Sequence, residues 1–288
     1  MTSPPIHGVL HTQPQFNVPA GATDCHVHVF GPGARFPYGK GSAYTPADAP
    51  KEKLFALHAM LGVDRCVIVQ SAAHGFDNSA AADAIAAKGG AYLGVALAPI
   101  TVSDAELQRL NAQGFRAARF NYMPHLGVGT PIDEVIAFSP RLAKLGWHLQ
   151  IHMDSSLIEA MTPVMKRSAV PIVIDHMGRI DASLGLHQPA FGDLRRLLED
   201  PKFLVKVSGS ERASRQGAPY ADAVPFARAL VADFPDRTLW GTDWPHPHVA
   251  SGPPDDGLLV DLLSEIAPTE AARKALLVDN PARFYGFQ

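Results

Sequence analysis

Eight short apolar runs spaced along the chain constrain its fold more than any other feature. They are TDCHVHVF, RCVIVQ, YLGVALA, FRAARFN, WHLQIHM, PIVIDHM, FLVKVSG and TLWGTDW, the first starting at Thr23 and the last ending at Trp244. All are near-continuously apolar, as strands buried on both faces are. Amphipathic stretches such as KEKLFALHAM, AADAIAAK, DAELQRLNAQ, SLIEAMTPVMKR and PFARALVADF lie between them. The order is therefore βα repeated on a parallel sheet. Eight such units close into a (β/α)8 TIM barrel, which takes ~250 residues. The 288 residues present accommodate one barrel over 21–288 and an extended N-terminal arm over 1–20. No shift in composition marks a second domain. The Pro/Gly-rich pieces GPGARFPYGKGSAYTPADAP and SGPPDDG read as long loops at strand ends.

Charge and composition narrow the partners. The formal net charge is -3 and there is no Lys/Arg-rich run, so nothing here is built to hold nucleic acid or an anionic membrane surface. A small molecule is the expected partner. The N-terminal stretch has neither a basic nor an apolar leader pattern, and no apolar run reaches the ~18 residues of a membrane span. Cys25 and Cys66 follow no metal or disulfide spacing and read as buried free thiols, which fits a reducing cytoplasm.

Barrel enzymes place their chemistry at the C-terminal ends of the strands. His26 and His28 are two apart in the first run, a spacing that points both imidazoles to one face of a strand. The fifth run ends in His152, the sixth in Asp175 and His176, and the eighth in GTDWPHP, where Asp243 terminates the apolar segment. Taken alone, a strand-end Asp is usually a turn residue; convergence with four histidines makes Asp243 the expected base, and the only carboxylate among them. Arg119, Arg179 and Arg212 follow the fourth, sixth and seventh strands and would present forked guanidinium groups to an acidic substrate. His74 and Asn78 belong to the second βα loop and line the pocket or form a plain turn. His246 and His248 belong to a rigid loop that positions Asp243. Lys206, on the seventh strand, is out of place for a carbamylated bridging lysine, so no binuclear site is expected.

Together, DCHVHVFGP, VIDHMGR and WGTDWPHP resemble the amidohydrolase superfamily, in particular its branch of lactone hydrolases typified by pyrone-dicarboxylate lactonases. The resemblance runs from His26 through RCVIVQ, GFRAARFN, VIDHMGR and WGTDWPHP to the terminal DNPARFYGF. It implies that Asp243 activates water while His26, His28 and His176 polarise a lactone carbonyl, without a metal. It further implies that Arg119, Arg179, Arg212 and Tyr44 contact the substrate. The implied substrate is a small anionic lactone of aromatic-acid catabolism, such as a pyrone dicarboxylate, a muconolactone or a sulfomuconolactone. A sugar-acid lactone isomerase and a metal-dependent decarboxylase are the alternatives on the same barrel.

Three positions depart from the pyrone-lactonase pattern. Ala72 stands where the pattern has Ser, with Ser71 displaced by one; His125 stands where it has a second Arg; and His152 replaces a strand-five Tyr. The last departure bears on metal binding. Metal-dependent relatives hold one divalent ion through HxH, a strand-five His and the strand-eight Asp, and His26, His28, His152 and Asp243 supply that set. One zinc or manganese ion and metal-independent catalysis both stay open at this stage.

Overall fold

The computed structural model describes residues 11–39, 46–126, 129–249 and 252–287. Each of the eight apolar runs forms a strand: β1 (Thr23–Val27), β2 (Arg65–Val69), β3 (Tyr92–Ala96), β4 (Phe115–Tyr122), β5 (His148–Met153), β6 (Ile172–Ile174), β7 (Phe203–Lys206) and β8 (Thr238–Leu239). They pair in sequence order as one parallel eight-stranded sheet. Beyond the two residues of β8 the chain still bonds to β1, with Cys25 N donating to Trp240 O, Asp243 N to His26 O and His28 N to Trp244 O at 2.7 to 2.8 Å. These bonds close the barrel. Gly241 permits the approach, because a Cβ there would lie 2.6 Å from the His26 amide nitrogen.

Helices α1 (Lys51–Leu61), α2 (Ser79–Ala86), α3 (Asp104–Ala112), α4 (Ile132–Ala143), α5 (Ile158–Met165) and α6 (Pro189–Leu198) cover the outside, followed by the short α7 (Ser210–Ala213), then α8 (Val224–Asp233) and α9 (Asp256–Asp261). The alternation of side chains along a strand divides the core in two. In β2, Cys66 and Ile68 pack outward against the helices, whereas Val67 and Val69 face the barrel interior with Val95, Ala117, Val173, Leu204 and Leu239. Phe284, Tyr285 and Phe287, in the terminal DNPARFYGF segment, close the bottom of that interior. The apolar plug leaves the upper half of the barrel for polar groups. Cys25 and Cys66 are buried and unpaired. No helix among the described residues is long and apolar enough to cross a membrane.

Residues 11–20 contain no helix or strand. Their amides are tied to acidic side chains near α9: Thr12 N donates to Asp255 at 2.9 Å, and the Gln15 and Phe16 amides donate to Asp261 at 2.7 and 2.8 Å.

Candidate active site

The strand ends bring the expected groups together around one atom. Asp243 Oδ1 lies 3.5 Å from His26 Nε2, 3.4 Å from His28 Nε2 and 3.6 Å from His176 Nε2. All four side chains are buried, and neither Asp243 Oδ1 nor His26 Nε2 has a hydrogen-bond partner among the described residues. The backbone holds Asp243 at φ 70, and His176 at φ 49, both in the left-handed region that turns a side chain away from the strand direction. A register irregularity in β1 between Asp24 and Val27 accompanies the His26–His28 pair, a local bulge of the kind that re-aims side chains near active sites.

The second nitrogen of each ring fixes its orientation. His28 Nδ1 donates to the Val69 carbonyl at 2.7 Å, which leaves His28 Nε2 facing Asp243. His176 Nδ1 pairs with Ser208 Oγ at 2.9 Å. His26 Nδ1 meets Lys206 Nζ and Asp175 Oδ1, each at 3.3 Å. Burial, reinforced by Lys206, pulls His26 down to about 3, and burial also carries His176 well below the ordinary histidine range. Both rings are neutral at neutral pH.

A second buried carboxylate stands beneath them, contrary to the expectation that Asp243 is the only one. Asp175 accepts a hydrogen bond from Arg119 Nε at 2.9 Å and from Gln150 Nε2 at 3.1 Å, and Lys206 lies 3.6 Å away. Burial alone would raise its pKa, but His26, Arg119 and Lys206 outweigh that and hold it well below the usual carboxylate range. Asp243 has a cation of its own, since Arg212 Nε donates to its Oδ2 at 2.5 Å. Burial pushes Asp243 up while Arg212 and then the imidazoles push it down, and the net result lies well below the ordinary value. Arg212 thus turns toward the base as well as toward the substrate space.

Above this cluster opens a cavity of about 350 Å³, whose walls include Ser71, Arg119, His125, His152, His176, Arg179, Arg212 and Asp243. His28 and His248 also reach it, and the His125 and His248 rings lie 5.1 Å apart, tilted at 60° to each other. Among the described residues Arg179 makes no hydrogen bond or ion pair with any side chain. Burial, and then the like charge of Arg212, push it down to about 10 against the opposing pull of Asp243, Glu211 and Asp154, so it remains a cation at neutral pH.

Two sequence-derived positions fall elsewhere. His74 is buried but does not line the cavity: its Nε2 accepts from Gly31 N at 3.1 Å and its Nδ1 pairs with Pro37 O at 3.0 Å. Both ring nitrogens are consumed in pinning the first long loop. Asn78 likewise joins the Leu97 backbone through bonds of 3.0 and 3.1 Å. Tyr44 lies outside the described residues.

A divalent ion fits part of the expected ligand set. Donors bound at ~2.1 Å to one tetrahedral ion are separated by ~3.4 Å, and the distances from Asp243 Oδ1 to the three imidazoles match that spacing. The carbonyl bond on the other ring nitrogen of His28 is also the usual support of a metal-binding histidine. His26, His28 and Asp243 form such a donor group, and His152 belongs to none among the described residues. His152 instead bonds Asn121 Oδ1 through Nδ1 at 3.1 Å, with its ring 5.5 Å from that of His176. The β4–β5 register sets Asn121 directly opposite it. His176, not His152, supplies the third imidazole beside Asp243.

Sequence reasoning passed over Glu211. Its carboxylate lies 3.4 Å from Arg212 Nε and 3.8 Å from His246 Nδ1, and His246 Nε2 meets Asp256 Oδ1 at 2.9 Å. Asp256 in turn approaches His11 at 3.2 Å. Charges of alternating sign therefore run from Asp243 through Arg212, Glu211 and His246 to Asp256 in the protein interior. In the same loop, His246 N donates to the Asp243 carbonyl at 2.8 Å.

Known proteins resemble this chain along most of its length. It is 45% identical over 283 residues to a 2-pyrone-4,6-dicarboxylate hydrolase of Comamonas testosteroni, covering 95% of this chain and 93% of that protein. It is 39% identical over 274 residues to a 4-sulfomuconolactone hydrolase of Rhizobium radiobacter, covering 94% and 92% respectively. The ligand-free crystal structure of an Agrobacterium tumefaciens protein superposes with a TM-score of 0.84 at 30% identity, over 96% of this chain and 99% of that one. With residues 23–287 matching the family model described as amidohydrolase, the chain belongs to the amidohydrolase family.

Proposed function

We propose that the protein hydrolyses a small anionic lactone of aromatic-acid catabolism, a pyrone dicarboxylate or sulfomuconolactone in type. The observation that carries this reading is the unpartnered Asp243 Oδ1, ringed by three imidazoles at the floor of an arginine-walled cavity. Asp243 Oδ1 accepts a proton from water as the water oxygen attacks the lactone carbonyl carbon. Arg212 holds Oδ2 and so fixes which oxygen faces the substrate. The ring C–O bond then breaks, the leaving ring oxygen takes the proton that Asp243 received, which restores the carboxylate, and the product is an open acid. Neutral His26 and His176 act as oriented polar groups toward the developing oxyanion rather than as charged acids. A carboxylate held so low is a weak base, which restricts the enzyme to lactones with good leaving groups, such as enol lactones and pyrones.

His26, His28 and Asp243, with His176 adjacent, are the residues that would hold one zinc or manganese ion. When bound, such an ion lowers the pKa of a coordinated water and polarises a carbonyl. Elemental analysis of the purified protein should find about one divalent ion per chain, and its removal by chelation should lower the melting temperature. Metal-free protein with unchanged turnover and melting would establish the metal-independent mechanism.

Ring opening of a lactone panel, followed by absorbance and by proton release, tests the reaction. Hydrolysis releases one proton per ring; ring rearrangement without proton release would identify a lactone isomerase, and evolution of carbon dioxide a decarboxylase. The charge of the substrate is tested through Arg179, because Arg119 is already engaged with Asp175. Arg179→Met should raise KM ~10-fold or more for an anionic lactone and much less for its methyl ester. Equal effects on the two substrates would remove Arg179 from substrate binding.

The two buried thiols support a reducing compartment, and so a cytoplasmic enzyme.

A further inference from the structure

A second cavity, of about 460 Å³, adjoins the first and shares with it Arg179, Arg212 and His248. Its remaining wall includes Ser214, Arg215 and Gln216. Both cavities therefore meet at Arg179, the cation with no partner among the described side chains. The one acid among the described residues of the second wall, Glu211, is buried beside Arg212 and His246, at 3.4 and 3.8 Å. Arg215 is anchored by Asp181, with Nε and one terminal nitrogen each 3.0 Å from Oδ2, an arrangement that holds the guanidinium at the cavity rim.

The first cavity alone has room for a ring with acidic groups attached directly to it. A second, larger space walled by arginines would have no use for such a substrate. We propose that the second cavity is a subsite for a further acidic group, so that the preferred substrates are lactones with a carboxylate or sulfonate on a side arm several bonds long. The ring sits over Asp243, and the arm passes Arg179 to end near Arg215 and Gln216. An acid at the end of such an arm exchanges its hydration for charge-assisted bonds to forked donors, a gain that a group attached directly to the ring, lying within the first cavity, does not reach. The placement of the ring rests on the lactonase reading; the anion subsite does not.

Calorimetry on the full chain with linear α,ω-dicarboxylates from malonate to suberate, and with monocarboxylates of matching length, tests this without turnover. Affinity should climb ~10-fold with length among the diacids and stay flat among the monoacids, the gain of about one charge-assisted pair. Gln216 is exposed, so Gln216→Trp should fold normally, fill the second cavity and bring the ratio of long to short diacid affinity close to one. Arg215→Glu should lower the same ratio by charge reversal. A diacid series with no length dependence, or a gain that survives Gln216→Trp, would overturn the subsite. A protein with the length dependence that opens no lactone would overturn the lactonase reading and leave the subsite standing.

Discussion

Asp243→Asn should lower kcat for ring opening by ~10²- to 10⁴-fold, the usual contribution of a general base. The amide preserves shape and suits the left-handed backbone at this position, so the barrel should remain folded. Its oxygen still accepts from Arg212, but a neutral amide does not take a proton from water. The buried surroundings strengthen the expectation, because among the described residues no other carboxylate lines the first cavity: Asp175 lies beneath the histidines, its Oδ2 held by Arg119 and Gln150 and its Oδ1 beside His26 Nδ1. Turnover within about tenfold of wild type, with circular dichroism and melting unchanged, would remove Asp243 from the role of base.

Raising the pH from 6.5 toward 10 should destabilise the protein through His246. Burial disfavours its charged form, but Asp256 at 2.9 Å and Glu211 outweigh burial and push the ring up to about 10. A group whose pKa is higher folded than unfolded stabilises the native state fully below its unfolded value near 6.5, and that contribution disappears as the pH rises through the folded value. The size of the shift corresponds to something on the order of 5 kcal/mol. The melting temperature of the wild-type protein should therefore fall across this window more steeply than that of His246→Gln, whose side chain does not titrate. Parallel curves for the two proteins would show that His246 is not held as an imidazolium between the two acids.

The legible and illegible parts of this molecule differ in a physical way. Barrel strands are buried on both faces, so their apolar runs stand out whatever their neighbours are; seven strands fall within the runs read from the sequence, and β4 passes the end of its run by one residue, Tyr122. Side chains at strand ends inherit their direction from the strand, which is why His26, His28, His176 and Asp243 converge as the spacing suggests. Pairings between elements leave no such trace. Arg119 and Asp175 are 56 residues apart, and Arg212 and Asp243 are 31 apart; each pair meets only once the barrel closes. Asp175 carried one available signal, its place at the end of β6 directly before His176. His74 failed for a different reason: its sequence context fits a loop residue near the cavity, and only the backbone groups of Gly31 and Pro37 reveal that its ring is spoken for. His152 satisfied a ligand spacing in the sequence, yet the β4–β5 register delivers its ring to Asn121.

The left-handed backbone at Asp243 also acts as a filter on what evolution can try there. At φ 70 the conformation tolerates glycine, asparagine and aspartate, and penalises longer or branched side chains. A drift to glutamate, the obvious way to keep a carboxylate while reshaping the pocket, meets conformational strain as well as an extra methylene among three packed imidazoles. New activities on this scaffold should therefore arise by changing the loops and arginines around an aspartate that stays where it is, and lineages that lose the chemistry should do so most readily through asparagine.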